Sequence, residues 1–192
     1  MIDFENGYDE SSFFPVVLSS DRPFSTKVIN PTQNSNNSGT LHFHNCFEFV
    51  CVYTEIECTL FNSDKLKLSN GDVLMISPHI PHKFKIHVGD DTSLFGRSPY
   101  DLFFVDLELL SQCLESFPEM WKTPLNDPIS AQYMVFHPDT HRDICNRVYE
   151  IIKEMSLKHY AWCLDVVSLI LLLFASISRI ATNRKNAMSI RE

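Results

Sequence analysis

The sequence predicts a mainly β fold followed by a pair of C-terminal helices, and three observations carry that prediction. Up to Phe136, short runs rich in Phe, Val, Ile, Tyr and Cys alternate with turn-forming Gly, Asn, Asp and Pro. From His137-Pro138-Asp139 onward there is no glycine and almost no β signal, and apolar residues recur at helical intervals instead. Between Leu41 and Phe84 the chain concentrates ligand-type side chains: His42-x-His44-x-x-x-Glu48, then Gly71-Asp72, Pro78 and His82.

The elements follow in order. Residues 1–23 are acidic and then apolar at Phe13 to Leu18, the pattern of an edge strand or of an arm folded across the β domain. Phe24 to Ile29 reads as a short strand, and the Asn- and Ser-rich stretch Asn30 to Thr40 as a loop. Leu41 to Tyr53 is long and β-rich, with Phe, Val, Tyr and Cys, which fits a strand buried on both faces. Cys58 to Phe61 and Lys65 to Leu68 flank Asn62-Ser63-Asp64, a hairpin signal. Asn70-Gly71-Asp72 turns the chain into a strand over Val73 to Ile76, and Lys83 to Ile86 forms the next. Gly89 to Pro99 is a loop, Tyr100 to Leu107 a strand, Leu109 to Phe117 a short helix and Gln132 to Phe136 a last strand.

Asp139 or Thr140 is placed to cap a helix whose apolar positions are Ile144, Val148, Ile151, Ile152 and Met155. A break near Lys158-His159 leads to a second helix from about Ala161 to Ala181. Its residues Leu164, Val167, Leu171 and Phe174 share one face. That stripe could pack on the chain's own β domain or meet a second copy, and its surplus apolar area favours a homodimer.

Bulk properties bound the function. A chain of 192 residues can form one well-packed domain, burying roughly 70% of its unfolded surface. Its 44% hydrophobic and 21% charged content is ordinary for a globular protein. Sixteen Lys and Arg against 24 Asp and Glu give a net charge of −8, which argues against phosphate neutralisation and so against DNA binding by this stretch. The six cysteines form no CxxC pair, so buried free thiols in a reducing, cytoplasmic setting are expected. Met1 to Asn6 has no basic segment leading into an apolar one, and so no secretory signal. The most apolar run, Leu164 to Ile180, is interrupted by Asp165, Ser168, Ser176 and Ser178. No membrane span is expected there, since its unbroken core from Leu169 to Ala175 is too short for a bilayer.

On an extended strand His42, His44 and Glu48 would project from one face. With His82 they would offer three imidazoles and a carboxylate, ligand types that suit Zn²⁺, Ni²⁺, Mn²⁺ or Fe²⁺. The same residues could instead line a polar pocket for a small molecule, walled by Val50, Val52, Phe84 and one of Phe103 and Phe104, here assigned to Phe104. No other acid-base pair, cofactor fingerprint or activated nucleophile accompanies them. His79, His87, His137, His141 and His159 fall on predicted loops or helix surfaces, so no catalytic residue is assigned and no enzyme is expected.

The spacing resembles the two motifs of the cupin superfamily, and within it the sensor domains of AraC-type transcription regulators. His42, His44 and Glu48 match the first motif; Gly71 to Pro78, with His82 following, match the second. Glu55, His79 and Ile86 depart from it, the first two at positions where glycine is usual and the third where enzymatic cupins place asparagine. The resemblance covers about residues 24–182 and implies a double-stranded β-helix, or jelly-roll, barrel. It divides the chain into an arm (1–23), a cupin-like barrel (24–136), a helical dimerisation segment (137–182) and a linker (183–192) leading to a DNA-binding domain beyond this chain. It implies a small-molecule effector in the barrel, a homodimer, and DNA contact only through that further domain. The alternative is a stand-alone cupin, either a metal-dependent enzyme or a small-molecule binder.

Overall fold

The computed structural model describes residues 24–28, 41–60, 64–86, 98–106 and 132–189, with side chains given to Ala181 in the last helix and, in the first strand, for Phe24 alone. The arm, the Asn-rich loop, the helix expected over Leu109 to Phe117 and Cys113 lie outside these residues. Eight strands precede two helices: β1 (Phe24–Val28), β2 (Phe47–Val52), β3 (Ile56–Leu60), β4 (Lys65–Leu68), β5 (Val73–Ile76), β6 (His82–Ile86), β7 (Tyr100–Val105), β8 (Tyr133–Phe136), α1 (Arg142–Leu157) and α2 (Trp162–Ser189). The strands form a five-stranded sheet in the order β1-β7-β2-β5-β8 and a three-stranded sheet in the order β4-β3-β6. Every named strand pair is antiparallel.

Side-chain parity explains the layering. β2 is buried along its whole length. Phe47, Phe49 and Cys51 join Val73, Met75, Phe103, Phe136 and the helices in one core. Val50 and Val52 join Ile56, Cys58, Leu60, Leu74, Phe84 and Phe104 in a second core between the two sheets. The five-stranded sheet is therefore the middle layer, which is why its central strand shows no polar alternation. The three-stranded sheet has one wet face. Along β3, Ile56, Cys58 and Leu60 are buried and alternate with Glu57 and Thr59. On edge strand β4, Lys65 and Lys67 point outward, a charge pattern that discourages further strand pairing.

The sheets do not close into the expected barrel. The chain changes layer four times, between β2 and β3, β4 and β5, β5 and β6, and β6 and β7. Near these corners Val52 N–H, at the end of β2, donates to Asp72 O, Gly71 N–H donates to Val52 O, and the Tyr53 and Thr54 N–H groups both donate to Pro99 O. Gly71 has φ +90, a conformation that favours glycine at the corner after β4, and a Cβ there would stand 3.2 Å from Pro138 Cγ, a tight contact. Beside it, the buried Asp72 carboxylate accepts from Ser69 N–H and from His137 Nδ1–H at 2.9 Å each, tying this corner to the start of the helical segment.

α1 buries Ile144, Cys145, Val148, Ile151, Ile152 and Met155 on one face. Its N-cap is His141 with no side-chain cap bond, not Asp139 or Thr140; residues 138–140 form a turn ahead of it. The predicted break is real: Lys158 (φ 50) and Ala161 (φ 63) take left-handed backbone conformations without glycine. α2 buries Val166, Ile170, Leu173, Phe174 and Ile177 and continues to Ser189, past the end read from periodicity. Its segment Trp162–Ala181 has mean hydropathy 2.1, enough by length and composition to cross a membrane, and 33% of it is buried within the fold. Its buried face is committed to α1 and the middle sheet, and the opposite face exposes Asp165 and Arg179.

Candidate functional site

The site forms where the chain passes from one sheet to the other. His42 N–H donates to His82 O (3.0 Å) and His82 N–H to His42 O (2.8 Å), an isolated antiparallel bridge on the open edge of β6. Residues directly opposite in such a bridge project to the same side, and the two rings lie 4.5 Å apart. His44, two residues on, returns to that side, with its ring 4.9 Å from His42 and 5.6 Å from His82. The chain then bends at Asn45-Cys46 and enters β2 in the other sheet. There Glu48, opposite Ile76 on one side and Phe104 on the other, faces the inter-sheet core. His42, His44 and Glu48 thus do not share one continuous strand, as their spacing predicted. They converge because a bend carries the histidines and the carboxylate onto different sheets that face each other.

Burial makes the electrostatics severe. Glu48 and His82 are each 1% exposed and His44 8%. Glu48 Oε2 lies 2.9 Å from His82 Nε2 and 3.5 Å from His44 Nε2. His82 Nδ1 lies 2.8 Å from Ile80 O, and since a carbonyl only accepts, Nδ1 carries a proton and Nε2 is left facing the carboxylate. The His82–Glu48 separation would suit a hydrogen bond, yet neither Nε2 nor Oε2 has an aligned partner. At 2.9 Å the attraction is that of an ion pair between the carboxylate and the His82 cation, in which Nε2 as well as Nδ1 carries a proton. Burial by itself would push Glu48's carboxyl up, but the charge of His82, then His44 and His42, outweighs it and holds the group below its usual range. Burial likewise disfavours the His82 cation, and Glu48 more than compensates, raising it above its usual value.

These directions fix a pH window. The lowered Glu48 contributes stability that is full above its unfolded value of 4.5 and lost as pH falls through the folded value. The raised His82 contributes stability that is full below 6.5 and lost as pH rises through its folded value. In chelator-treated protein, the urea midpoint attributable to this pair should plateau between those two values and decline on both sides. Glu48→Gln should flatten the profile, and an unaltered profile in that variant would refute the pairing.

The four side chains also pass a chemical test for a cation. One ligand atom from each of His42, His44, Glu48 and His82 lies within 4.8 Å of the others, a buried cluster that could hold a metal ion. Two donors each about 2.1 Å from one ion stand roughly 3.0 Å apart at a right angle and about 3.4 Å apart at the tetrahedral angle. The observed 2.9 and 3.5 Å bracket those separations. The unaligned Nε2 and Oε2 atoms are the pair an ion would satisfy.

Of the other expected lining residues, Phe84 and Phe104 are close by, 5.6 Å from the His82 ring and 4.8 Å from the His44 ring. Val50 and Val52 lie on the same side of β2 but farther along, within the inter-sheet core. Phe103 faces the helices instead. Sequence reasoning missed Tyr100, which is buried on this side with its ring 5.1 Å from Phe84; its parity with Phe104 was the available signal. It also missed the Ile80 carbonyl, for which no residue-type signal exists. Cys46, Cys51, Cys58 and Cys145 are buried free thiols, as expected, whereas Cys163 is exposed. Burial, then the neighbouring Glu48 and Asp106 charges, push the Cys46 thiol up to about 12, so it stays protonated. The stripe on α2 is not one open face: Phe174 is buried with its ring edge-on to Phe47 (5.4 Å) and Phe49 (5.6 Å), Val167 and Leu171 pack partly on the same core, and Leu164 is exposed.

The described residues thus form two facing antiparallel sheets followed by a helix pair, with a His/Glu cluster between the sheets. No family model and no curated protein matches the chain. Solved structures do: the fold is similar to that of ToxT from Vibrio cholerae, an AraC-family regulator. Against apo ToxT K231A the TM-score is 0.50 at 8% identity, covering 84% of this chain and 54% of that one. Wild-type ToxT with a bound unsaturated fatty acid gives 0.45 at 8% identity (84% and 51% covered), and a further ToxT crystal form 0.41 at 9% (68% and 48%). The chain therefore spans about half the length of the structures it matches, and at such identity the likeness is one of fold.

Proposed function

We propose that this chain is the effector-sensing and dimerisation region of an AraC-type transcription regulator, taking a small molecule in the inter-sheet core beside His42, His44, Glu48 and His82. The observation that carries the reading is a buried polar cluster at a layer-crossing corner of a ToxT-like fold. A purely structural core would seldom bury a carboxylate and two imidazoles beside a half-buried third, because apolar packing costs less. The second reading adds a divalent ion, Zn²⁺, Ni²⁺, Mn²⁺ or Fe²⁺, and is favoured by the full four-donor set. When bound, such an ion would supply a Lewis-acidic point for an effector's oxygen. His42, His44 and His82 would hold it as neutral donors, Glu48 would balance its charge, and Phe84 and Phe104 would keep water away.

Signalling by linkage requires only that the ligand favour one arrangement of the helix pair over another. DNA contact would belong to a separate domain, in the cytoplasm. The test is a fusion of this chain to a DNA-binding module that is inactive as a monomer. The fusion should repress a reporter, and replacing exposed Leu164 by Glu should weaken that repression. A silent fusion, together with sedimentation of the folded chain as a monomer at tens of micromolar, would overturn the dimerisation part.

A further inference from the structure

We infer that His79 is a positioning residue of the cluster, acting through its backbone rather than its imidazole; this rests on the ligand-holding role proposed for the four clustered side chains. Ser77, Pro78, His79 and Ile80 form a turn in which Ile80 N–H donates to Ser77 O at 3.4 Å. Proline occupies the second position and His79 the third, with φ 63. That is the pattern of a type II turn, whose third position favours glycine. A residue with a Cβ is strained there. The strain sits at the site and has two geometric consequences.

The first concerns the peptide joining Pro78 to His79. Type I and type II turns differ by a flip of that peptide, so a positive φ at His79 decides which way its N–H points. Here it donates to His44 O at 2.7 Å. The second concerns the next carbonyl: Ile80 O accepts from His82 Nδ1–H at 2.8 Å and so fixes the tautomer that aims Nε2 at Glu48. One turn thus holds the backbone of one donor and the ring of another, alongside the His42–His82 bridge. The His79 side chain is itself exposed.

The test compares His79→Gly, which accepts positive φ, with His79→Val, which resists it, and with His79→Ala as a milder second variant. Nitrogen-15 NMR of the imidazoles in chelator-treated protein, followed upward in pH until His82 is neutral, should give the Nδ1–H tautomer of His82 in the parent and in His79→Gly, and a mixed signal in His79→Val. Zn²⁺ titration should show parental affinity for His79→Gly, a loss on the order of tenfold or more for His79→Val, and an intermediate loss for His79→Ala. An unchanged tautomer and affinity in both His79→Val and His79→Ala would overturn the inference. So would a His79→Gly variant as impaired as His79→Val, since the imidazole would then be the active part. If the parent binds no Zn²⁺, the metal reading fails, while the tautomer comparison still decides the role of His79.

Discussion

Replacing Phe49 by alanine is expected to destabilise the chain by roughly 3–5 kcal/mol, the range for emptying a fully buried aromatic site. Phe49 is 0% exposed at the centre of the middle sheet, stacked on Phe103 at 5.1 Å and 12° and set edge-on to Phe174 of α2. It therefore joins three elements, and the cavity cannot be filled by a single neighbour relaxing. With total stabilities of about 5–15 kcal/mol typical of domains, the variant should be close to unfolding at physiological temperature. Leu172→Ala on the open side of the same helix, where the residue is 52% exposed, should stay within about 0.5 kcal/mol. Urea denaturation followed by circular dichroism separates the two. Equal midpoints would mean that the helices do not pack on the sheet as described.

Replacing His82 by leucine should have a comparable effect for an electrostatic reason. It strands the Glu48 carboxylate, 1% exposed, with its nearest counter-charge gone and His44 Nε2 remaining at 3.5 Å. Breaking one side of a buried pair costs roughly 3–5 kcal/mol, whereas replacing both members by apolar residues is often neutral or stabilising. In chelator-treated protein, Glu48→Leu combined with His82→Leu should therefore recover most of what the single substitution lost. In the single variant the Glu48 carboxyl should titrate higher than in the parent, because burial is no longer opposed by its strongest partner. Both variants should lose any bound metal. A double variant less stable than either single one would indicate that the pair is a net source of stability.

Much of the fold is legible in the sequence where local pattern and burial agree. Lys65–Leu68 and Val73–Ile76 begin and end where propensity and the Asn70-Gly71 turn place them. β2 reads as doubly buried because nothing polar alternates along Phe47–Val52 apart from Glu48, itself a site residue. The helix break at Lys158 is legible because apolar periodicity lapses there, although left-handed residues without glycine give no compositional warning. The misses share a cause. The bend at Asn45-Cys46, the His141 cap and the unclosed sheets all depend on partners distant in sequence, such as Pro99 O for Tyr53 N–H or His42 O for His82 N–H.

By itself the sequence determined which chemistry is present: three imidazoles and one carboxylate at spacings that a β framework brings together, and a helical segment with more apolar surface than one face needs. Tertiary structure alone decided how they meet. The His42–His82 bridge joins residues from separate segments, and the layer crossing sets Glu48 opposite the histidines rather than beside them. It also turned Phe174 onto the chain's own middle sheet, leaving Leu164 outward. Periodicity specifies which residues share a face of an element. What that face meets is set by long-range hydrogen bonds and packing between elements, which no local pattern contains.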